Sequence, residues 1–138
     1  YMALIVQKYG GTSVGSPERI KNVAKRVARW KSQGHDVVVV VSAMSGETNR
    51  LIALAKEIQS QPDPRELDVM VSTGEQVTTG LLALALRRIG VPARSWQNWQ
   101  IPFRTDAAHA KARVADFPTK EIGASIDAGT VAIVPGFQ

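Results

Sequence analysis

The 138-residue sequence contains no cysteine, which excludes disulfides and thiolate chemistry and is compatible with a reducing cytosol. Long apolar runs are missing too. Stretches such as Val37 to Val41 are far too short to cross a bilayer, and no basic-then-apolar signal opens the chain. Only two histidines occur, His35 and His109, and neither has metal-ligand spacing nearby, so no built-in metal site is expected. His35 reads as a turn residue ahead of a strand. Several motifs are absent as well. No lysine closes a glycine loop in the Walker manner, Gly10 and Gly11 are adjacent where the dinucleotide fingerprint would separate them, and no G-x-S-x-G elbow exists.

What is present describes one globular domain, with 44% hydrophobic residues. Tyr1 ahead of Met2 reads as a remnant of expression, with the native start at Met2. The net charge is +5, and six basic residues fall between Arg19 and Lys31. That concentration raises the question of a nucleic-acid partner. Lys21, Lys25 and Arg29 recur every four residues opposite Ile20, Val23, Ala24 and Val27, however, which is the pattern of an amphipathic helix with a solvated basic side. Trp30 alone interleaves the basic residues, so no base-stacking platform forms and no nucleic-acid or membrane partner is expected.

The hydrophobic pattern predicts an opening strand over Ala3 to Val6 and a helix from Pro17 to Gln33, stopped by Gly34. Ser16 can cap that helix, Pro17 suits its first position, and Glu18 suits its positive end. Val37 to Val41 reads as a strand buried on both faces. Leu51, Leu54, Ala55 and Ile58 are helical in spacing, and QPDP breaks the run. A further helix starts near Arg65, is weakened at Ser72, Thr73 and Gly74, and resumes from Val77 to about Arg88. A short strand over Ala93 to Trp96 follows, then turns and one short helix between Gln97 and Pro118. A helix over Thr119 to Ala128 and a strand over Val131 to Val134 complete the chain. This order implies an α/β structure with a mostly parallel sheet, and a chain that reads as the first part of something longer.

Three polar segments could carry chemistry: KYGGTS, SAMSGETN and STGEQ. Ligands collect at the carboxyl ends of strands in open parallel sheets, so the first two are expected on one rim. The first offers the Lys8 cation beside backbone N–H groups at Gly10 and Gly11, an arrangement suited to an anion. The second offers hydroxyls at Ser42, Ser45 and Thr48, of which Ser42 and Thr48 are also expected to cap a helix. Glu75 reads either as a surface acid or as a site acid, and Gly74 beside it points to close approach of another group. Cation, oriented dipoles and hydroxyls are what phosphoryl transfer needs.

Gln7-Lys-Tyr-Gly-Gly-Thr-Ser-Val-Gly15, Val41-Ser-Ala-Met-Ser-Gly-Glu-Thr-Asn49 and Val71-Ser-Thr-Gly-Glu-Gln76 together resemble the aspartokinases of the amino acid kinase family. Thr105-Asp-Ala-Ala-His-Ala-Lys-Ala-Arg113 and the terminal Gly-Phe-Gln are similar to that family too, in the same order and spacing. The resemblance implies a three-layer αβα sandwich, incomplete here, with residues 1–138 as the N-terminal part of the catalytic domain. The nucleotide-binding half and the regulatory ACT domains would lie beyond it.

The implied reaction is ATP-dependent phosphorylation of the L-aspartate side-chain carboxylate to 4-phospho-L-aspartate. It is the entry step to lysine, threonine, methionine and diaminopimelate, in the cytoplasm and in a homo-oligomeric full-length protein. Carried over by motif, Lys8 would stabilise the transferring phosphoryl group, with Tyr9, Gly10, Gly11, Thr12, Ser13 and Ser42 around the phosphates. Ser42, Thr48 and Glu75 would surround the aspartate, with Glu75 on its ammonium group. Mg2+ would arrive on the nucleotide. The competing readings are a non-catalytic piece that at most binds aspartate or phosphate, and a related carboxylate kinase. The stretch around Trp96 and Trp99 is richer in tryptophan than the family pattern, which implies altered packing.

Overall fold

The computed structural model describes residues 3–97 and 120–136. Four strands, β1 (Leu4–Tyr9), β2 (Asp36–Val41), β3 (Ala93–Ser95) and β4 (Val131–Pro135), form one sheet in the order β1-β2-β4-β3. Every neighbouring pair is parallel. Parallel neighbours need crossovers, and helices supply them: α1 (Pro17–Ser32), α2 (Glu47–Ile58), α3 (Pro64–Arg88) and α4 (Lys120–Asp127). The expected element order and sheet type hold. The expectations for Asn98 to Pro118, with Trp99 and the Thr105 to Arg113 motif among them, lie outside the described residues.

Alternation along the strands gives the sheet two faces. Val37, Val39, Val41, Val131, Ile133 and Tyr9 point toward α1 and α3, where they meet Ile20, Val23, Val27, Leu82 and Leu86 in the larger core. Val38, Ala132 and Val134 point the other way and pack with Ile122 and Ile126 of α4 and with Trp96. Helices on both faces make three layers. Each fully buried Val, Leu or Ile contributes roughly 1.5–3 kcal/mol, so the double-sided burial of β2 and β4 anchors the sheet. Trp96 is 1% exposed, and Arg94 lays its guanidinium carbon 4.3 Å from the centre of its ring. The tryptophan is thus a core residue of the α4 layer.

α1 starts as its sequence dictates, with the Ser16 hydroxyl accepting from the Arg19 amide at 3.2 Å and Pro17 in the first turn. Gly34 follows with φ +89°, a conformation a side chain would strain. His35 accepts the Ala3 amide on Nδ1 at 3.3 Å, which ties the turn to the start of β1.

Two expectations are corrected. The break at Ser72 to Gly74 does not occur, and α3 runs unbroken for 25 residues. The hydroxyls that compete with helical structure are satisfied inside it: Ser72 donates to the Val69 carbonyl, Thr73 to Met70, Thr78 to Gly74 and Thr79 to Gln76. Nor do Ser42 and Thr48 cap α2. Its N-cap is Gly46, with φ +84° and no side-chain cap bond, while Thr48 already lies in the first turn. By length and composition α3 could span a membrane, with a stretch of mean hydropathy 1.3. Its apolar side chains Leu82 and Leu86 lie in the core, and Glu75 is buried along the same helix.

Candidate functional site

The register aligns Tyr9 of β1 with Val41 of β2, and Val41 with Pro135 of β4. All three strands therefore end at one rim. The glycine loop leaves β1 there, and the Ser42–Gly46 loop leaves β2 beside it. Gly136 leaves β4 at the same level, donating its amide to the Val41 carbonyl at 2.9 Å.

The two loops touch. The Ser42 amide donates to the Tyr9 carbonyl at 3.2 Å, and the Ser45 amide to the Gly11 carbonyl at 3.1 Å. A Cβ on Gly11 would stand 2.9 Å from the Ala43 carbonyl oxygen, closer than such atoms pack. The glycine here is required by contact with backbone. The third segment reaches the same residue from the helical layer: a Cβ on Gly74 would stand 2.9 Å from the Ala43 Cβ and 3.4 Å from the Glu47 Cγ. Ala43 is 8% exposed and is the point on which all three polar segments converge. The close approach expected at Gly74 is real, and its partner is the second loop.

Within the glycine loop the Ser13 amide turns back to the Gly10 carbonyl at 3.0 Å, and the Thr12 carbonyl accepts both the Gly15 amide and Arg19 Nη1. The amides of Gly10, Gly11 and Thr12 donate to no partner among the described residues. Three successive backbone donors without a described partner at a strand end are the kind of group that can take an anion.

Lys8 is exposed and shares with Leu4 and Val6 the sheet face turned away from α1 and α3. No carboxylate lies within ion-pair distance of it among the described residues. Tyr9 points the other way, into the core, at 8% exposure. Its hydroxyl donates to Gln7 Oε1 at 2.8 Å, so its side chain is structural and only its backbone faces the rim. Burial pushes its pKa above the ordinary value of 10.0, with Arg26 acting more weakly in the opposite direction. Thr12 and Ser13 are exposed on the loop, and Ser42 and Thr48 are half-buried.

Glu75 is 7% exposed, which overturns its reading as a surface acid. It follows Gly74 on the stretch of α3 pressed against the second loop. The other acid near that loop, Glu47, is held by Arg50, whose Nη2 lies 2.6 Å from its carboxylate. That hydrogen bond keeps the Glu47 carboxyl below the usual range. Among the described residues no group of three or more His, Cys, Asp or Glu side chains stands close enough together to hold a metal ion. The arrangement can therefore offer backbone amides to an anion at the end of β1, where Lys8 also lies, and it places a buried acid, Glu75, on the helix packed against the second loop.

Sequence reasoning found the three segments but missed Ala43, their common contact, because a small apolar residue in a loop carries no chemical signal. It also missed Arg19, whose hold on the Thr12 carbonyl is a tertiary contact.

A family model described as the amino acid kinase family matches residues 3–138. Over 137 residues the chain is 61% identical to an aspartate kinase from Stutzerimonas stutzeri strain A1501, an alignment spanning 99% of this chain and 33% of that protein. Aspartokinase 2 from Bacillus subtilis strain 168 is 50% identical over 137 residues, spanning 99% and 34%. Among solved structures, the aspartate kinase from Synechocystis matches with a TM-score of 0.77 and 40% identity, over 96% of this chain and 22% of that one. The chain thus spans about a third of the length of the curated relatives it matches.

Proposed function

Because the chain belongs to the amino acid kinase family, we propose that the protein containing it is an aspartate kinase, transferring the terminal phosphoryl group of ATP to the side-chain carboxylate of L-aspartate. The observation that carries this reading is the convergence of the three motif segments on Ala43 at the carboxyl rim of the sheet. The sequence motifs and the two relatives named for that activity support the substrate.

In this reading the free amides of Gly10, Gly11 and Thr12, with the Ser13 hydroxyl, hold phosphate oxygens. Lys8 supplies the positive charge that matters most when negative charge spreads over the transferring group. The aspartate lies across the second loop, with Ser42 and Thr48 on its polar groups and the Glu75 carboxylate on its ammonium. Burial of Glu75 strengthens that pairing, since a charge out of water is attracted more strongly by its partner. Mg2+ comes with the nucleotide, where it neutralises phosphate charge. The protein works in the cytoplasm, as a homo-oligomer at full length, on the path to lysine, threonine, methionine and diaminopimelate.

The residues that would complete the nucleotide site lie in the additional length that the relatives possess. The 138 residues alone are expected to bind without turnover. The test is a coupled ADP-release assay on this chain and on a chain extended to the length of its relatives. Aspartate-dependent turnover by the extended chain only is the expected result. Absence of aspartate dependence in the extended chain would refute the substrate.

A further inference from the structure

Ser13, Arg19, Asn22, Val23 and Arg26 line a polar groove of about 360 Å3 between the glycine loop and α1. Arg19, Asn22 and Arg26 stand three and seven residues apart, so a single stripe of the helix faces this space. Arg19 is tethered at its mouth by the 2.8 Å bond from Nη1 to the Thr12 carbonyl. Arg26 stands by the Tyr9 hydroxyl, close enough to work against the effect of burial there.

Neither guanidinium is neutralised by a described carboxylate. The ion pairs among the described residues are Lys31–Asp36 and Arg50–Glu47, and no carboxylate there lies within ion-pair reach of Arg19 or Arg26. Two like charges facing one concave space repel each other, and an anion between them removes that repulsion. The planar forks of arginine match oxyanions, and the Ser13 hydroxyl and Asn22 amide add neutral donors. Two guanidinium charges match the charge of a phosphate, up to about two negative units, better than the single charge of a carboxylate. A phosphate also offers more oxygens for the Ser13 and Asn22 donors to share.

We propose that the groove between the glycine loop and α1 is an oxyanion site that takes a phosphate group. Two sources share that chemistry. One is a nucleotide whose phosphates continue from the loop amides past Ser13, and the other is free phosphate or the phosphate of a separate small molecule. The solvated helix face inferred from the sequence therefore divides, with Arg19 and Arg26 serving the groove and Lys21, Lys25 and Arg29 left to solvent. The inference does not require the kinase reading, because its readout is binding of inorganic phosphate.

The experiment is calorimetric titration of inorganic phosphate into the chain extended to the length of its relatives. Ionic strength is held constant with chloride so that general screening is equal throughout. Wild-type protein is expected to bind phosphate, and Arg26→Gln to bind at least about tenfold more weakly, a change of ~1.4 kcal/mol. Asn22→Asp, which places a carboxylate in the groove, is expected to abolish binding. Melting temperatures identify which variants are folded, and one folded variant suffices to decide. Repeating the titration with saturating ADP separates the sources: lost binding assigns the site to the nucleotide, retained binding to a separate phosphate. No phosphate binding by wild type, or wild-type affinity in a folded variant, would overturn the proposal.

Discussion

Gly74 of α3 and Ala43 of the loop after β2 are packed so closely that a methyl group on the glycine would stand 2.9 Å from the alanine Cβ. Neither Cβ can rotate away, because each is fixed directly to backbone. The contact locks the helical layer onto the rim of the sheet and sets the position of Glu75 one residue later.

Gly74→Ala is accordingly expected to destabilise the protein. Alanine would favour the helix by ~1 kcal/mol, but overpacking costs ~1–3 kcal/mol, and here the neighbour can yield only by backbone movement. Gly80 in the same helix has open space where its Cβ would go. Gly80→Ala should therefore be neutral or stabilising by up to ~1 kcal/mol. Thermal melts of the two variants check this, and a more stable Gly74→Ala would show that the contact is loose.

Lys8→Ala, in a chain extended to the length of the relatives, should lower kcat by on the order of 100-fold or more and change KM much less. A charge acting mainly in the transition state has that signature. Steady-state kinetics decide it, and an unchanged kcat would remove Lys8 from the chemistry.

For Glu75→Gln the expected outcome is a strongly raised KM for aspartate and a nearly unchanged KM for ATP. Glutamine keeps the size and helix propensity of glutamate while losing the charge that would pair with an ammonium. The residue is buried, so the melting temperature must be measured beside the kinetics. Equal aspartate KM values in two folded proteins would exclude the proposed role.

Tyr9 should make the protein alkali-sensitive. Burial raises its pKa in the folded chain above the ordinary 10.0, because the phenolate is harder to bury than the phenol. The stability this contributes is fully present below pH 10.0 and is lost as pH rises through the folded-state pKa. Urea unfolding of wild type and Tyr9→Phe at neutral pH and above pH 10.0 is the measurement. Wild type should lose more stability than the variant on going to alkali, and parallel losses would show that Tyr9 is not the group responsible.

Local pattern alone determined the element order, the Ser16 cap and Pro17 start of α1, the double burial of β2 and the parallel sheet. These follow from periodicity, turn chemistry and the geometry of crossovers, all of which act over a few residues. The three motif segments were legible as well, since a glycine loop after a strand and a hydroxyl-rich loop after another carry their chemistry in sequence. Tertiary structure decided the rest. Packing of α3 against α1, α2 and the sheet overrode the weak helix propensity at Ser72 to Gly74, and the hydroxyls there found partners inside the helix. It also buried Glu75 and gave Ala43 its place as the common contact of three segments. Each of these depends on which surfaces meet across the fold, and contacts between residues distant in the chain leave no periodicity to read.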